Sequence, residues 1–204
     1  MTTTEAVRYE VADGIVTLTM DDPNQSANTM NETYRNAMSA AVDRLVKDIA
    51  DNPDSIKGVI VASAKKTFFA GGDLKLMIQA TPADAENLFK EVEGIKATLR
   101  KLETCGKPVV AAINGAALGG GLEIALATHH RIAADARYEI GLPEVSLGLL
   151  PGGGGVTRTV RMFGIQDALM KVLLQGPRMQ PAKALKSGLI DEIVPADELL
   201  SAAK

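Results

Sequence analysis

The chain has 204 residues, of which 46% are hydrophobic and 23% are charged, and its formal net charge at pH 7 is −3. These values exclude a disordered chain, which combines low hydrophobicity with high net charge, and they argue against a nucleic-acid-binding protein, which carries a basic face. The single cysteine, Cys105, cannot form an internal disulfide, and the only two histidines are adjacent, so no metal centre is expected. Residues 1–10 do not resemble a signal peptide, and no apolar run reaches the roughly 18 residues of a membrane span. We therefore predict a cytoplasmic protein without a membrane span.

The first half of the chain predicts a hairpin, a helix, a buried strand and a second helix. The dipeptide Asp13-Gly14 suits a tight turn between two β-type runs. Thr29 to Glu32 has the form of a capping box, and Thr81-Pro82 opens the second helix. The strands are Val7–Val11, Ile15–Met20 and Gly58–Ala62, and apolar stripes with helical spacing run from Tyr34 to Ile49 and from Leu88 to Leu102.

The second half predicts further short strands and helices. The strands are Val109–Ile113, Arg131–Ala134 and Tyr138–Gly141, and the helices are Leu122–Thr128, Val156–Phe163, Asp167–Leu174 and Ala182–Lys186. Short apolar strands that are separated by amphipathic helices are typical of an α/β protein whose main sheet is covered on both sides.

Three glycine-rich loops follow predicted strands, at residues 70–72, 119–121 and 152–155. Glycine lets a ligand approach backbone N–H groups that a Cβ would otherwise shield, so three such loops favour a pocket lined by backbone. None of them has the Lys-Ser/Thr of a phosphate-binding loop, the G-x-G-x-x-G spacing of a dinucleotide site or a G-x-S-x-G nucleophile elbow.

Two glutamates lie beside these loops in apolar surroundings. Glu123 is in the first turn of an apolar helix, and Glu144 lies between Leu142-Pro143 and Val145. Most glutamates are solvated, but apolar surroundings raise the pKa of a carboxyl group and suit it to proton transfer near neutral pH. The N–H of Gly120, with a second N–H from the loop at residues 70–73, would form an oxyanion hole that stabilises an enolate next to a thioester.

Four motifs together resemble those of the crotonase (enoyl-CoA hydratase/isomerase) superfamily. They are Phe68-Phe-Ala-Gly-Gly-Asp-Leu74, Lys107-Pro-Val-Val-Ala-Ala-Ile-Asn-Gly115, Ala117-Leu-Gly-Gly-Gly-Leu-Glu123, and Leu142-Pro-Glu144 with Leu149-Leu-Pro-Gly152. The chain is most similar to the N-terminal hydratase module of multifunctional fatty-acid oxidation α-subunits. The resemblance implies a ClpP/crotonase-like α/β fold of repeated ββα-type units, with residues 1–204 as one domain that lacks the family's usual C-terminal helical segment.

The resemblance also implies roles for individual residues. Glu123 and Glu144 match the two catalytic glutamates of the family's hydratases, and Ala70 and Gly120 match the positions whose amides form its oxyanion hole. The residues that match substrate-binding positions are Ser26, Ala27, Asn28, Gly71, Gly72 and Asp73. Asp73 is interpreted as a helix cap, and the loop at residues 24–26 lacks the basic residue that is frequent there in the family.

We therefore expect an enoyl-CoA hydratase of fatty-acid β-oxidation, with a Δ3,Δ2-enoyl-CoA isomerase and a catalytically weak assembly subunit as the alternatives. The expected partner is an acyl-CoA or enoyl-CoA substrate, and coenzyme A is part of the substrate, so no separate cofactor is predicted. The resemblance implies a homo-oligomer, a trimer or a dimer of trimers, within a larger β-oxidation complex. For Arg158 and Arg161 the favoured interpretation is an ordinary solvated helix face, and the alternative is contact with the phosphates of coenzyme A.

Overall fold

The structure is a computed structural model that describes residues 5–72 and 74–204. The strands are β1 (Val7–Ala12), β2 (Ile15–Met20), β3 (Gly58–Ser63), β4 (Val109–Ile113), β5 (Ala117–Leu118), β6 (His130–Ala134), β7 (Ile140–Gly141) and β8 (Glu192–Val194). The helices are α1 (Glu32–Asp51), α2 (Leu74–Gln79), α3 (Ala85–Glu103), α4 (Gly120–Leu126), α5 (Gly155–Phe163), α6 (Ile165–Ala168), α7 (Pro181–Ser187) and α8 (Leu199–Ala202). Short 3₁₀ turns at Pro82–Asp84 and Pro143–Leu147 and a π-helical turn at Leu169–Leu173 complete these elements.

The main sheet contains six strands in the order β1-β2-β3-β4-β6-β8. Only β1 and β2 are antiparallel, and the remaining pairs are parallel. Asp13 and Gly14 connect β1 to β2 with φ angles of 55° and 82°, the left-handed pair that a tight hairpin turn requires. The predicted hairpin is therefore confirmed.

Successive residues of the central strands bury opposite faces of this sheet. Val59 and Val61 of β3 belong to the large core beneath α1, α3 and α4, whereas Ile60 and Ala62 join a smaller cluster with Leu199 of α8. This alternation follows from the two-residue period of a strand. The predicted α/β class, with apolar packing on both faces of the sheet, is confirmed.

The starts of two helices differ in detail from the prediction. The N-cap of α1 is Asn31, whose side chain accepts the N–H of Tyr34 at 2.8 Å and donates to Asp22 at 2.7 Å; the predicted capping box at Thr29 is wrong. The Thr81 capping box is present, because Asp84 accepts the N–H of Thr81 at 2.8 Å, but it caps the 3₁₀ turn that precedes α3.

A second, smaller sheet positions the glycine-rich loops. It consists of β5 and β7, which are parallel, with isolated bridges from Phe69 to Ala117 and from Ile140 to Met179. The predicted strand at Tyr138–Gly141 is thus shorter than expected. Since Phe69, β5 and β7 are adjacent, the loop that follows Phe69, the first turn of α4 and the turn that follows β7 lie side by side.

Among the residues that the structure describes, no helix is both long enough and apolar enough to cross a membrane. In the same part of the chain, no three His, Cys, Asp or Glu side chains form a group suited to a metal ion.

Candidate active site

The carboxylate of Glu123 lies in a cradle of glycines. Only 4% of this residue is exposed, and its Oε1 accepts the N–H of Gly155 at 2.8 Å. A Cβ on Gly153 would lie 2.8 Å from Oε2, and a Cβ on Gly155 would lie 3.0 Å from Oε1. The loop at residues 153–155 therefore approaches the carboxylate so closely that it requires glycine.

Opposing effects set the pKa of Glu123. Burial removes water from the carboxyl group and raises its pKa above the ordinary value. The backbone N–H groups of residues 153–155 and the positive charge of Arg158 act in the opposite direction without offsetting burial. Glu123 is thus a shielded carboxyl group whose ionised form has defined hydrogen-bond donors.

Glu144 has a different environment. It is half-buried in the 3₁₀ turn after β7, and its buried Oε2 has no hydrogen-bond partner within the described residues. Burial, reinforced by the negative charge of Glu123, raises the pKa of Glu144 to about 7. A carboxyl group with this pKa exchanges a proton readily near neutral pH.

Gly119 brings Glu144 to the start of α4. Its φ angle is 53°, a left-handed conformation that favours glycine, and a Cβ there would lie 2.8 Å from Glu144 Oε1. The next residue, Gly120, begins α4, and its N–H has no acceptor among the described residues. Both carboxyl groups and this N–H therefore lie around one turn of backbone.

The loop after Phe69 adjoins the same turn. A Cβ on Gly120 would lie 4.0 Å from the carbonyl carbon of Gly71. The N–H of Ala70, however, donates to the carbonyl oxygen of Asn28 at 2.8 Å. The prediction that Ala70 supplies an oxyanion donor is wrong, because a hydrogen bond within the protein already occupies that N–H.

Gly72 is the alternative donor in this loop. The carbonyl oxygen of Gly71 accepts the N–H of Met30 at 2.9 Å, and the N–H of Gly72 points to the opposite side of that trans peptide plane. No described residue accepts it. The motif could not distinguish Ala70 from Gly72, since consecutive amides in a loop differ only in where they point.

The predicted substrate-binding residue Asn28 has a structural role. It is 1% exposed, and its side chain donates to Met20 O at 3.2 Å and to Ser63 Oγ at 3.0 Å and accepts from Asp22 N at 3.1 Å. Its side chain ties the loop to β2 and β3, and contact of this residue with substrate stays a prediction.

The other predicted binding positions differ in accessibility. Ser26 is exposed and Ala27 is half-buried, so contact with substrate at these positions stays a prediction. Gly71 is buried with a φ angle of 104°, and it serves the turn itself. Gly72 is half-buried, and Asp73 lies outside the described residues.

Sequence reasoning misjudged Arg158. It is 9% exposed and forms an ion pair with Glu103 at 3.3 Å, so its assignment to a solvated face is wrong, whereas Arg161 is exposed as expected. The helical period identifies the face of α5 but not the end of α3 that packs on it. Nothing local in the sequence therefore indicates this pair.

A cavity of about 380 Å³ lies between α1 and α3, and neither Glu123 nor Glu144 lines it. Apolar side chains that line it include Met30 and Ile95, and the pair Arg35–Glu91, at 3.1 Å, lies at its polar side. Met30 connects it to the site, since its Cε would lie 3.2 Å from a Cβ on Gly120. The carboxyl groups and free N–H groups, rather than this cavity, define the candidate active site.

Comparison with known proteins identifies the family of the chain. A family model described as enoyl-CoA hydratase/isomerase matches residues 10–204. The fatty acid oxidation complex subunit alpha of Idiomarina loihiensis is 40% identical over 207 residues, which cover 100% of this chain and 28% of that protein. Its counterpart in Shewanella amazonensis is 42% identical over 194 residues, covering 94% and 26%. The chain thus spans about a quarter of the length of these curated relatives.

Solved structures share the fold. An enoyl-CoA hydratase from Geobacillus kaustophilus superposes with a TM-score of 0.87 at 31% identity, covering 98% of this chain and 72% of that one. One from Bacillus anthracis gives a TM-score of 0.84 at 30% identity, covering 97% and 73%. The predicted crotonase fold is confirmed. The chain belongs to the enoyl-CoA hydratase/isomerase family, within the crotonase superfamily.

Proposed function

We propose that the protein is an enoyl-CoA hydratase that adds water across the α,β double bond of a 2-enoyl-CoA thioester. The observation that carries this proposal is the pair of shielded carboxyl groups, Glu123 and Glu144, around one glycine turn. Each has a raised pKa, and the charge of Glu123 contributes to that of Glu144. Hydration requires one group that accepts a proton from water and another that donates a proton to carbon, and this pair supplies both.

The proposed mechanism begins at the thioester carbonyl. Its oxygen accepts hydrogen bonds from the N–H groups of Gly120 and Gly72, and these polarise the conjugated double bond. Ionised Glu123 takes a proton from water as the oxygen bonds to the β-carbon, and protonated Glu144 delivers its proton to the α-carbon of the enolate. The product gains one water, and proton exchange with solvent restores both groups.

The proposed substrate class follows from family membership and from the relatives' names. The curated relatives are subunits of a fatty acid oxidation complex, so we assign this chain to β-oxidation as part of the proposal. Residues 1–204 would form the hydratase domain, and Ser26 and Ala27 would lie near the coenzyme A portion of the substrate.

Loss of the ultraviolet absorbance of crotonyl-CoA, as water adds to its conjugated double bond, tests this function. We expect activity in the unmodified protein and a bell-shaped dependence of kcat on pH, since Glu123 must be ionised and Glu144 protonated. The double variant Glu123→Gln/Glu144→Gln is the control. Absence of turnover in the folded protein with enoyl-CoA substrates would leave the assembly-subunit alternative.

One observation favours the isomerase alternative. The unpartnered Oε2 of Glu144 and a pKa of about 7 suit a single group that removes a proton and returns it to another carbon. Conversion of a 3-enoyl-CoA into the conjugated 2-enoyl isomer raises the absorbance and distinguishes the two reactions. If isomerisation survives Glu123→Gln while no hydration is detected in the unmodified protein, the isomerase assignment replaces the hydratase.

We also propose that the chain forms a homo-oligomer, a trimer or a dimer of trimers. Exposed apolar side chains cluster in the consecutive turns of α5, α6 and the π-helical turn, where burial against another subunit would remove them from water. They are Met162, Ile165, Leu169, Met170 and Leu174. Light scattering at micromolar concentration measures the assembly, and a monomer would contradict the proposal.

A further inference from the structure

Arg158 lies in the interior although α5 has an exposed face. Arginine is rarely buried unless it is paired, because its charge loses the stabilisation of water. Its side chain is only 10% exposed, so its contacts must compensate for that loss.

The guanidinium group of Arg158 connects two parts of the chain. Its Nη1 donates to the carbonyl oxygen of Gly153 at 3.2 Å. Its Nε and Nη2 donate to the two carboxylate oxygens of Glu103 at 3.4 and 3.3 Å, and Arg100 donates to the same carboxylate at 2.7 Å. The two-pronged contact fixes the orientation of the planar group. Arg158 thus joins the end of α3 to the loop at residues 153–155.

The opposite side of that loop holds the carboxylate of Glu123. The N–H of Gly155 donates to Glu123 Oε1 at 2.8 Å. The guanidinium group is packed so closely that a Cβ on Gly154 would lie 2.3 Å from its Nη1. The glycine loop is therefore a thin layer between a positive and a negative group.

We propose that Arg158, anchored by Glu103, is a positioning residue that holds the glycine loop against Glu123 and supplies positive charge behind it. The inference rests on the proposed function only in that Glu123 serves as the base. Arg158 acts through the loop and touches no reacting atom. A lysine would keep the charge but lose the two-pronged contact with Glu103.

Three charged groups lie on the elements around Glu123. They are Arg158 on α5, Glu144 in the turn after β7, and Glu103 on α3 behind the guanidinium group. Arg158 lowers the pKa of Glu123. The negative charge of Glu123 raises the pKa of Glu144. Removing the arginine charge should therefore raise the pKa of Glu123, and removing the charge of Glu103 should lower it.

The test is a pH titration of the Glu123 carboxyl group by nuclear magnetic resonance, in protein labelled with carbon-13 at the glutamate carboxyl. The variant Glu123→Gln assigns the signal. We expect Arg158→Met to raise the Glu123 midpoint by about 1 pH unit and Glu103→Gln to move it in the opposite direction. Arg161→Met removes an equal charge from the exposed face of the same helix and should leave the midpoint unchanged.

The titration remains informative if the protein proves inactive, so failure of the hydratase proposal and failure of this inference are distinguishable. With an active protein, the acidic limb of the kcat profile should move with the Glu123 midpoint while KM stays nearly constant. If Arg158→Met does not fold, Arg158→Lys and Glu103→Gln serve as the test. Arg158→Lys should keep the midpoint of the Glu123 titration but lower kcat. Glu103→Gln should lower that midpoint. An unchanged midpoint in Arg158→Met or, where that variant does not fold, in Glu103→Gln would overturn the inference, as would an equal shift in Arg161→Met.

Discussion

The surroundings of Glu123 and Glu144 differ although the two carboxyl groups flank the same turn. Glu123 is enclosed by glycine backbone and receives a hydrogen bond from Gly155. Glu144 is half-buried, and within the described residues its Oε2 has no partner. The Glu123 carboxyl group is thus held in a single orientation with several backbone N–H groups supporting its ionised form, whereas only the backbone N–H of Glu144 itself opposes the effect of burial on Glu144.

Under the proposed hydratase mechanism, this difference would assign the roles of base and acid to the two carboxyl groups. A base that activates water needs a fixed lone pair and a stable ionised form, and the cradle of Glu123 provides both. An acid that delivers a proton at neutral pH needs a raised pKa, and the burial of Glu144, together with the negative charge of Glu123, raises its pKa. The local backbone therefore differentiates two chemically identical side chains.

The largest effect is expected from removing the N–H of Gly120, which lies in the turn that both carboxyl groups flank. Gly120→Pro deletes the N–H at the first position of α4, where proline is compatible with a helix, and should lower kcat by about 10²–10³-fold. Gly120→Ala keeps the N–H and adds only a contact with the flexible end of Met30, so it serves as the control. Circular dichroism checks the fold, and a folded proline variant with full activity would place the oxyanion hole elsewhere.

Isosteric replacement addresses the carboxyl groups one at a time. Glu123→Gln and Glu144→Gln should each lower the kcat of hydration by about 10²-fold or more, because each removes a general acid or base. KM should change little, since the shape of the side chain is retained. Near-normal turnover in either variant would show that the proposed role of that glutamate is wrong.

Replacing a glycine that contacts either carboxylate by alanine should lower kcat by a smaller factor. Gly153→Ala presses on Glu123 Oε2, and Gly119→Ala presses on Glu144 Oε1; displacing a catalytic group should lower kcat by about 10- to 10²-fold. Gly152→Ala meets only ordinary contacts, and Gly148→Ala shares the positive φ of Gly119 without a neighbour to meet. Equal losses in these controls would mean that strain, rather than displacement, limits activity.

The smallest effect is on stability. Because folding raises the pKa of Glu144 to about 7, the folded protein binds this proton more tightly than the unfolded chain, and stability falls as pH rises from 5 to 8. After allowance for partial exposure, the free energy of unfolding of Glu144→Gln should increase by about 1 kcal/mol relative to that of the unmodified protein as pH rises over that range. Denaturant titrations measure it, and Glu123→Gln should show less because backbone N–H groups support its ionised form. A difference that does not vary with pH would contradict the shifted pKa of Glu144.

The α/β class, the hairpin and the long helices were accessible from sequence because they depend on local periodicity and turn chemistry. The burial of Arg158, the occupied N–H of Ala70 and the structural role of Asn28 were not. Each depends on a partner at least 40 residues away or on the direction of a single peptide plane. The motifs point to the loops that the fold brings together, but only three-dimensional packing shows which donor in a motif remains unoccupied.

The small sheet formed by β5 and β7 has a consequence for folding during translation. Phe69, Ala117, Ile140 and Met179 meet in it across long stretches of chain. Contacts this distant in sequence close only after the intervening segments are synthesised, and they slow folding. The hairpin of β1 and β2 can pair while translation continues, whereas the bridge between Ile140 and Met179 must wait until Met179 has left the exit tunnel. The candidate active site is therefore completed later than the hairpin, after most of the main sheet is available.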